Sequence, residues 1–177
     1  MTQLPRRIHI IGSTGSGKTY LAKNLSKQLD IPYYELDKVM WSSSIEMAGK
    51  NSPEVREKLL NEIIVKDSWI VEGVYYKWLT ESFNLADQII FLTPNTFVRD
   101  LRIINRFIKQ RIGIEKSNYR QTLKGLLEMI KWNHGFEAQK KKDILEILKR
   151  YDYKLAILKN NNDIINESNS KKLSDLT

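Results

Sequence analysis

The sequence predicts an α/β fold: five short parallel strands in one sheet, with helices on both faces. Three observations carry that expectation. Five apolar runs, Ile8–Ile11, Tyr33–Leu36, Trp69–Val71, Gln88–Leu92 and Lys154–Leu158, alternate with stretches of helical character. The first run stops at glycine, as a buried strand entering a turn does. Gly12, Asp37 and Glu72 sit at strand ends, where open parallel sheets bind their ligands.

Taken in order, Ile8-His9-Ile10-Ile11 is a β-branched run ending at Gly12. Leu21, Leu25 and Leu29 recur at helical spacing over 17–29, and Asp30-Ile31-Pro32 ends that helix. Tyr33-Tyr34-Glu35-Leu36 reads as a second strand ending at Asp37. Residues 38–52 are polar and read as loop, after which Pro53 opens a helix carrying Val55, Leu59, Leu60 and Ile63. Trp69-Ile70-Val71 is a third strand ending at Glu72-Gly73, and Gln88–Leu92 a fourth. Residues 95–111 and 121–150 read as helices, with breaks near Gly113 and Gly135, before a fifth strand at 154–158. The tail 160–177 is rich in Asn, Ser and Lys and is expected to fray. No repeat or linker divides the chain, so a single domain over 1–177 is expected.

Composition agrees. A chain of 177 residues suits one domain with a real core, and 41% hydrophobic with 28% charged residues is a globular balance. No apolar run approaches the roughly 20 residues that span a bilayer, and the N-terminus lacks an apolar signal core. The absence of cysteine excludes disulfides and thiolate metal sites and accords with a cytoplasmic location. The net charge of +8 is concentrated: residues 98–150 hold 14 Lys and Arg against 6 Asp and Glu. Such a helical region suits an anionic partner, polyphosphate or nucleic acid, and equally a solubilising face.

The most specific signal is Gly12-Ser13-Thr14-Gly15-Ser16-Gly17-Lys18-Thr19, which matches G-x-x-x-x-G-K-S/T between a strand and a helix. Glycines let backbone N–H groups converge on phosphate oxygens, and the helix N-terminus adds a positive dipole end. Lys18 would reach the β- and γ-phosphates, Thr19 would give a hydroxyl to Mg²⁺, and Tyr20 closes the nucleotide-binding stretch. Glu72 is positioned as the metal's second anchor, because the fourth strand ends in Thr93-Pro94 without an acid. Asp37 would accept the proton of an acceptor hydroxyl or hold Mg²⁺-bound water; the position equally suits a turn or helix-cap aspartate.

Arg99, Arg102 and Arg106 fall on one stripe of the 95–111 helix, opposite an apolar stripe of Val98, Leu101, Ile104 and Ile108 expected to anchor it. The arginines would neutralise charge on a transferring phosphoryl group, or else form a solvated face. His9 reads as a core or strand-edge residue, and His134 has no partner at metal-ligand spacing. Trp41 suits stacking on a base or closing a loop over the core. Asn160-Asn161-Asn162-Asp163 lacks the lysine of a guanine-reading N-K-x-D, and no D-x-x-G precedes it, which argues against a regulatory GTPase.

From Ile8 through about Leu158 the chain resembles a small P-loop kinase of the adenylate-kinase-like group, on Gly12–Thr19, Trp69–Gly73, and Pro94 followed by Arg102 and Arg106. Within it, Tyr34–Lys38, Trp69–Gly73 and Ile130–Asn133 look most like the bacterial DNA topology modulation proteins. The resemblance implies a three-layer P-loop NTPase fold with strand order 2-3-1-4-5 and a helical lid within about 99–136. Taken with the motif, the reading is of ATP and Mg²⁺ as cofactors, with Lys18, Asp37, Arg102 and Arg106 as catalytic residues. The chain departs from adenylate kinases at Val74-Tyr75-Tyr76, where they continue with phenylalanine, proline and an acceptor-holding arginine, so AMP is not the expected acceptor. The resulting expectation is a cytoplasmic, Mg²⁺-dependent kinase acting on a small molecule or nucleotide. A regulatory ATP-binding protein contacting nucleic acid through its basic helices, and a plain ATPase, stand as alternatives.

Overall fold

The computed structural model describes residues 4–42, 49–115 and 122–160. The middle of the expected loop (43–48), part of the expected lid (116–121) and the tail from 161 lie outside the described residues. The elements are β1 (Arg7–Gly12), α1 (Lys18–Leu29), β2 (Tyr33–Glu35), α2 (Leu36–Met40), α3 (Pro53–Ile64), β3 (Trp69–Gly73), α4 (Thr80–Leu85), β4 (Gln88–Leu92), α5 (Thr96–Arg111), α6 (Leu123–Gly135), α7 (Lys141–Leu148) and β5 (Leu155–Leu158). The strands form one sheet in the order β2-β3-β1-β4-β5. β3 lies parallel between β1 and β2, with Ile10 and Glu35 opposite Glu72 in register. β3 is buried throughout and β1 from Ile8 onward, as parallel strands covered on both faces must be. No helix among the described residues is long and apolar enough to cross a membrane.

The described residues fall into two compact units, one of residues 4–12, 18–91 and 151–157, the other of 13–17, 92–150 and 158–160. The core of the first is built from Ile8, Ile10 and Ile11 of β1, Leu21 and Leu25 of α1, and Trp69, Ile70 and Val71 of β3. In the second, Ile103, Phe136, Ile144 and Leu148 are buried.

Several boundaries differ from the sequence expectation. The second strand ends at Glu35, and Asp37 lies in α2 rather than at a strand end. Leu36, Val39 and Met40 are all buried, an i, i+3, i+4 pattern that a helical turn satisfies and a strand does not. Leu36 packs so closely on β3 that a Cβ at Gly73 would meet its side chain at 2.9 Å, which accounts for glycine after Glu72. The stretch expected as loop therefore opens with this helix and an isolated antiparallel bridge from Trp41 to Lys50. Of the apolar residues carried by α3, Val55 is exposed, whereas Leu60, Ile63 and Ile64 are buried. α4 was not anticipated. Gly135 does not break its helix: α6 runs through a π turn at Phe136–Lys140 into α7.

The largest difference concerns α5. Most of its expected anchoring stripe is solvent-facing, with Val98, Leu101 and Ile108 exposed by 38%, 50% and 49% and only Ile104 half-buried. The buried positions are Arg99, at 0%, and Ile103, one turn later. Periodicity assigns a guanidinium to solvent; here both terminal nitrogens donate to internal partners, which offsets part of the cost of burying it.

Candidate nucleotide site

β1 delivers the chain into the loop Ser13–Gly17, and α1 begins at Lys18. Gly15 adopts φ +74°, and a Cβ there would sit 2.7 Å from the Arg99 carbonyl oxygen. Glycine is required at this point for both conformation and space. Arg102 Nη1 donates to Ser16 O at 2.9 Å and to Gly15 O at 3.3 Å. Because the peptide is planar and trans, fixing the Ser16 carbonyl directs the Gly17 N–H the opposite way. Ser16 Oγ is buried with no hydrogen-bond partner, an unmet polar atom in the loop that phosphate oxygens would satisfy. The loop thus fits the phosphates of a nucleotide.

Lys18 is buried, 8% exposed, at the start of α1, while Tyr20 is 57% exposed. Thr19 Oγ1 donates to Glu72 Oε1 at 2.6 Å. The parallel pairing of β1 with β3 accounts for their meeting: one residue follows the β1 loop, and the other lies near the end of β3. Glu72 is only 5% exposed. Burial pushes its carboxyl above the ordinary range, against the pull of the Lys18 charge and the Thr19 hydroxyl; Glu35 and Asp37 add to the push. No group of three or more His, Asp or Glu side chains forms a metal cage among the described residues. Mg²⁺ in nucleotide sites is held by one or two carboxylates with phosphate oxygens, and Thr19 with Glu72 is a donor set of that kind.

Asp37 lies exposed on α2 and accepts a 2.8 Å hydrogen bond from Tyr75 Oη on its Oδ1. Burial, then the bond and charge of Asp37, hold the Tyr75 phenol well above its ordinary range, so it remains a donor. The Trp41 side chain and the Arg56 charge pull the other way. The Tyr75 and Trp78 rings lie 6.1 Å apart, and the Arg56 guanidinium lies 5.5 Å from the Trp78 ring. Sequence reasoning missed Tyr75 as the partner of Asp37, and Trp78 and Arg56 in the cluster behind it. The signal available was the aromatic run Val74-Tyr75-Tyr76, which departs from the adenylate-kinase pattern immediately after β3.

The three arginines of the expected stripe separate. Arg99 is buried, Arg102 is exposed against the loop carbonyls, and Arg106 reaches Met129 Sδ of α6 at 3.3 Å. Lys140 covers the Trp132 ring at 4.4 Å and Lys141 pairs with Glu137, so two cations of the basic region have local partners. His134 Nε2 lies 2.8 Å from Asp100 Oδ2, joining α6 to α5. His9 is fully buried against Ser82 and Phe83, as a core residue.

No family model matches the chain. Among solved structures it is similar to a shikimate kinase from Bacteroides thetaiotaomicron, with a TM-score of 0.55 at 18% identity over 98% of each chain. A gluconokinase from Sinorhizobium meliloti 1021 matches with a TM-score of 0.48 at 16% identity, over 88% of this chain and 83% of that one. The first likeness shows the fold, a five-stranded parallel sheet in the order β2-β3-β1-β4-β5 with helices packed on it.

Proposed function

We propose that this protein is a Mg²⁺-dependent kinase that moves the γ-phosphoryl group of ATP to a small acceptor carrying a hydroxyl. The observation that carries the reading is the 2.6 Å contact of Thr19 with Glu72, which joins the residue after the loop lysine to the buried acid of β3. When bound, Mg²⁺–ATP would supply the transferable phosphoryl group and a cation to neutralise its charge. Lys18 would hold the β- and γ-phosphates, Thr19 and Glu72 the metal, and the N–H groups of 13–17 the phosphate oxygens. Asp37 would take the acceptor's hydroxyl proton, with Tyr75 fixing the carboxylate. Arg102 and Arg106 would stabilise charge that develops in transfer. The finer likeness to DNA topology modulation proteins, on Tyr34–Lys38, Trp69–Gly73 and Ile130–Asn133, belongs to this proposal, as does a cytoplasmic location.

The test is a screen of ATP consumption against nucleosides, nucleotides and hydroxylated metabolites, with Lys18→Ala as the blank. Acceptor-dependent ADP formation supports the reading. Phosphate release that no acceptor changes would make the protein an ATPase.

A further inference from the structure

Among the described residues, Arg99 is the bulkiest charged side chain that is completely buried. Nη1 donates to Ser13 Oγ at 2.6 Å, and Nη2 donates to Thr96 Oγ1 at 2.8 Å and to Glu137 Oε2 at 2.6 Å. Its guanidinium lies 5.8 Å from the Phe136 ring centroid, and its Nε is buried without a hydrogen-bond partner. A cation enclosed this way is tolerated only while a carboxylate faces it; removing that partner leaves an uncompensated buried charge.

The partner comes from an unusual place. Glu137 lies in the π turn Phe136–Lys140, a local widening of the helix that is frequent at functional sites. Glu137 is shared: its other oxygen accepts from Lys141 Nζ at 2.5 Å. At its far end Arg99 holds Ser13, the first residue of the phosphate loop, whose Oγ donates in turn to Thr14 O at 3.2 Å. The Arg99 backbone also limits the space at Gly15, and Arg102 on the next turn holds the carbonyls of Gly15 and Ser16. α5 therefore grips the loop at its beginning and in its middle, and the first grip runs back to the π turn.

We propose that Arg99 is a positioning residue: bridging Ser13 and Glu137, it holds the phosphate loop in its binding shape and makes triphosphate affinity depend on the π turn. The inference rests on the loop's being the nucleotide site. Arg99 contacts loop groups rather than standing where phosphates would lie, so it acts through Ser13.

The test is a double-mutant cycle on the full chain with Ser13→Ala, Glu137→Gln and the pair, which leaves the arginine in place. Mg²⁺–ATP dissociation constants would be read by calorimetry, with apo melting temperatures as the control. Glu137→Gln is expected to weaken Mg²⁺–ATP binding by about tenfold in a folded protein, within the range of couplings through a shared partner. Ser13→Ala is expected to cost markedly less in the Glu137→Gln background than alone, a coupling that a general loss of stability does not produce. Wild-type affinity in Glu137→Gln, or independent effects of the two changes, would overturn the inference while the nucleotide reading stands. A wild-type protein that binds no Mg²⁺–ATP would instead overturn the reading beneath it.

Discussion

Thr19 Oγ1 and Glu72 Oε1 share a 2.6 Å hydrogen bond, donated by the hydroxyl, in a pocket where the carboxylate is almost wholly withdrawn from water. On the proposed reading, this buried acid beside the Thr19 hydroxyl binds Mg²⁺ through its water shell. Glu72→Gln keeps the size and the hydrogen bond and removes the charge. It is expected to retain the fold and to raise the Mg²⁺ concentration for half-maximal activity by about 10- to 100-fold, as losses around a metal's ligands do. An unchanged Mg²⁺ titration would make Glu72 a structural carboxylate.

Asp37 and Tyr75 make a separate prediction. If Asp37 accepts the hydroxyl proton, Asp37→Asn lowers transfer by about 10²- to 10⁴-fold and leaves ATP affinity nearly intact. Tyr75→Phe removes the 2.8 Å bond that orients the carboxylate and is expected to give a smaller loss in the same rate. Parallel measurement of ATP binding and turnover checks both. Loss of ATP affinity in Asp37→Asn would assign Asp37 to the metal.

The α5 arginines and the Lys140–Lys142 run distinguish a kinase from a nucleic-acid binder. Arg102 holds loop carbonyls, so Arg102→Ala is expected to weaken ATP binding as well as turnover, the latter by orders of magnitude. Arg106 touches Met129 rather than the loop, so Arg106→Ala is expected to lower turnover with little change in ATP affinity. Replacing Lys140, Lys141 and Lys142 together should change neither strongly. Salt-dependent DNA binding whose slope falls by about 0.7–0.9 per cation removed, with turnover intact in the arginine variants, would favour the nucleic-acid reading.

His9 governs part of the acid response. Its Nδ1 has Ser82 Oγ at 2.8 Å, its Nε2 has no hydrogen-bond partner, and burial lowers its pKa from 6.5 to about 3. Across that window the unfolded chain takes up a proton that the native chain refuses. Stability therefore falls as pH drops below about 6.5, by about 1.4 kcal/mol per unit at full effect. Denaturant titrations of wild type and His9→Gln should show a shallower acid loss in the variant, whatever its stability at neutral pH. Equal slopes would mean that His9 is protonated in the native state.

The sequence announced what depends on local pattern. The strand–loop–helix context of Gly12–Thr19 is contiguous, so its place after β1 could be read directly. The strands were legible as short apolar runs, most plainly β1, β3 and β4, which are buried; their order came from resemblance. What escaped depends on contacts distant in sequence. Asp37 was read one element too early because the buried trio Leu36, Val39 and Met40 follows two strand-forming tyrosines without a break. Arg99 was assigned outward because its acceptors lie 86 and 38 residues away, at Ser13 and Glu137. Tyr75 carried no motif; only folding brings it to Asp37.

Thermal unfolding with and without Mg²⁺–ATP tests the central claim most directly. A ligand that binds only the native state stabilises it by RT ln(1 + L/Kd), with L the free ligand concentration, so the melting temperature climbs with ligand concentration. The account predicts a clear, dose-dependent rise for the wild-type protein at millimolar Mg²⁺–ATP. For Lys18→Ala it predicts a native circular-dichroism spectrum and no such rise. A well-folded wild-type sample whose melting temperature does not move would contradict it.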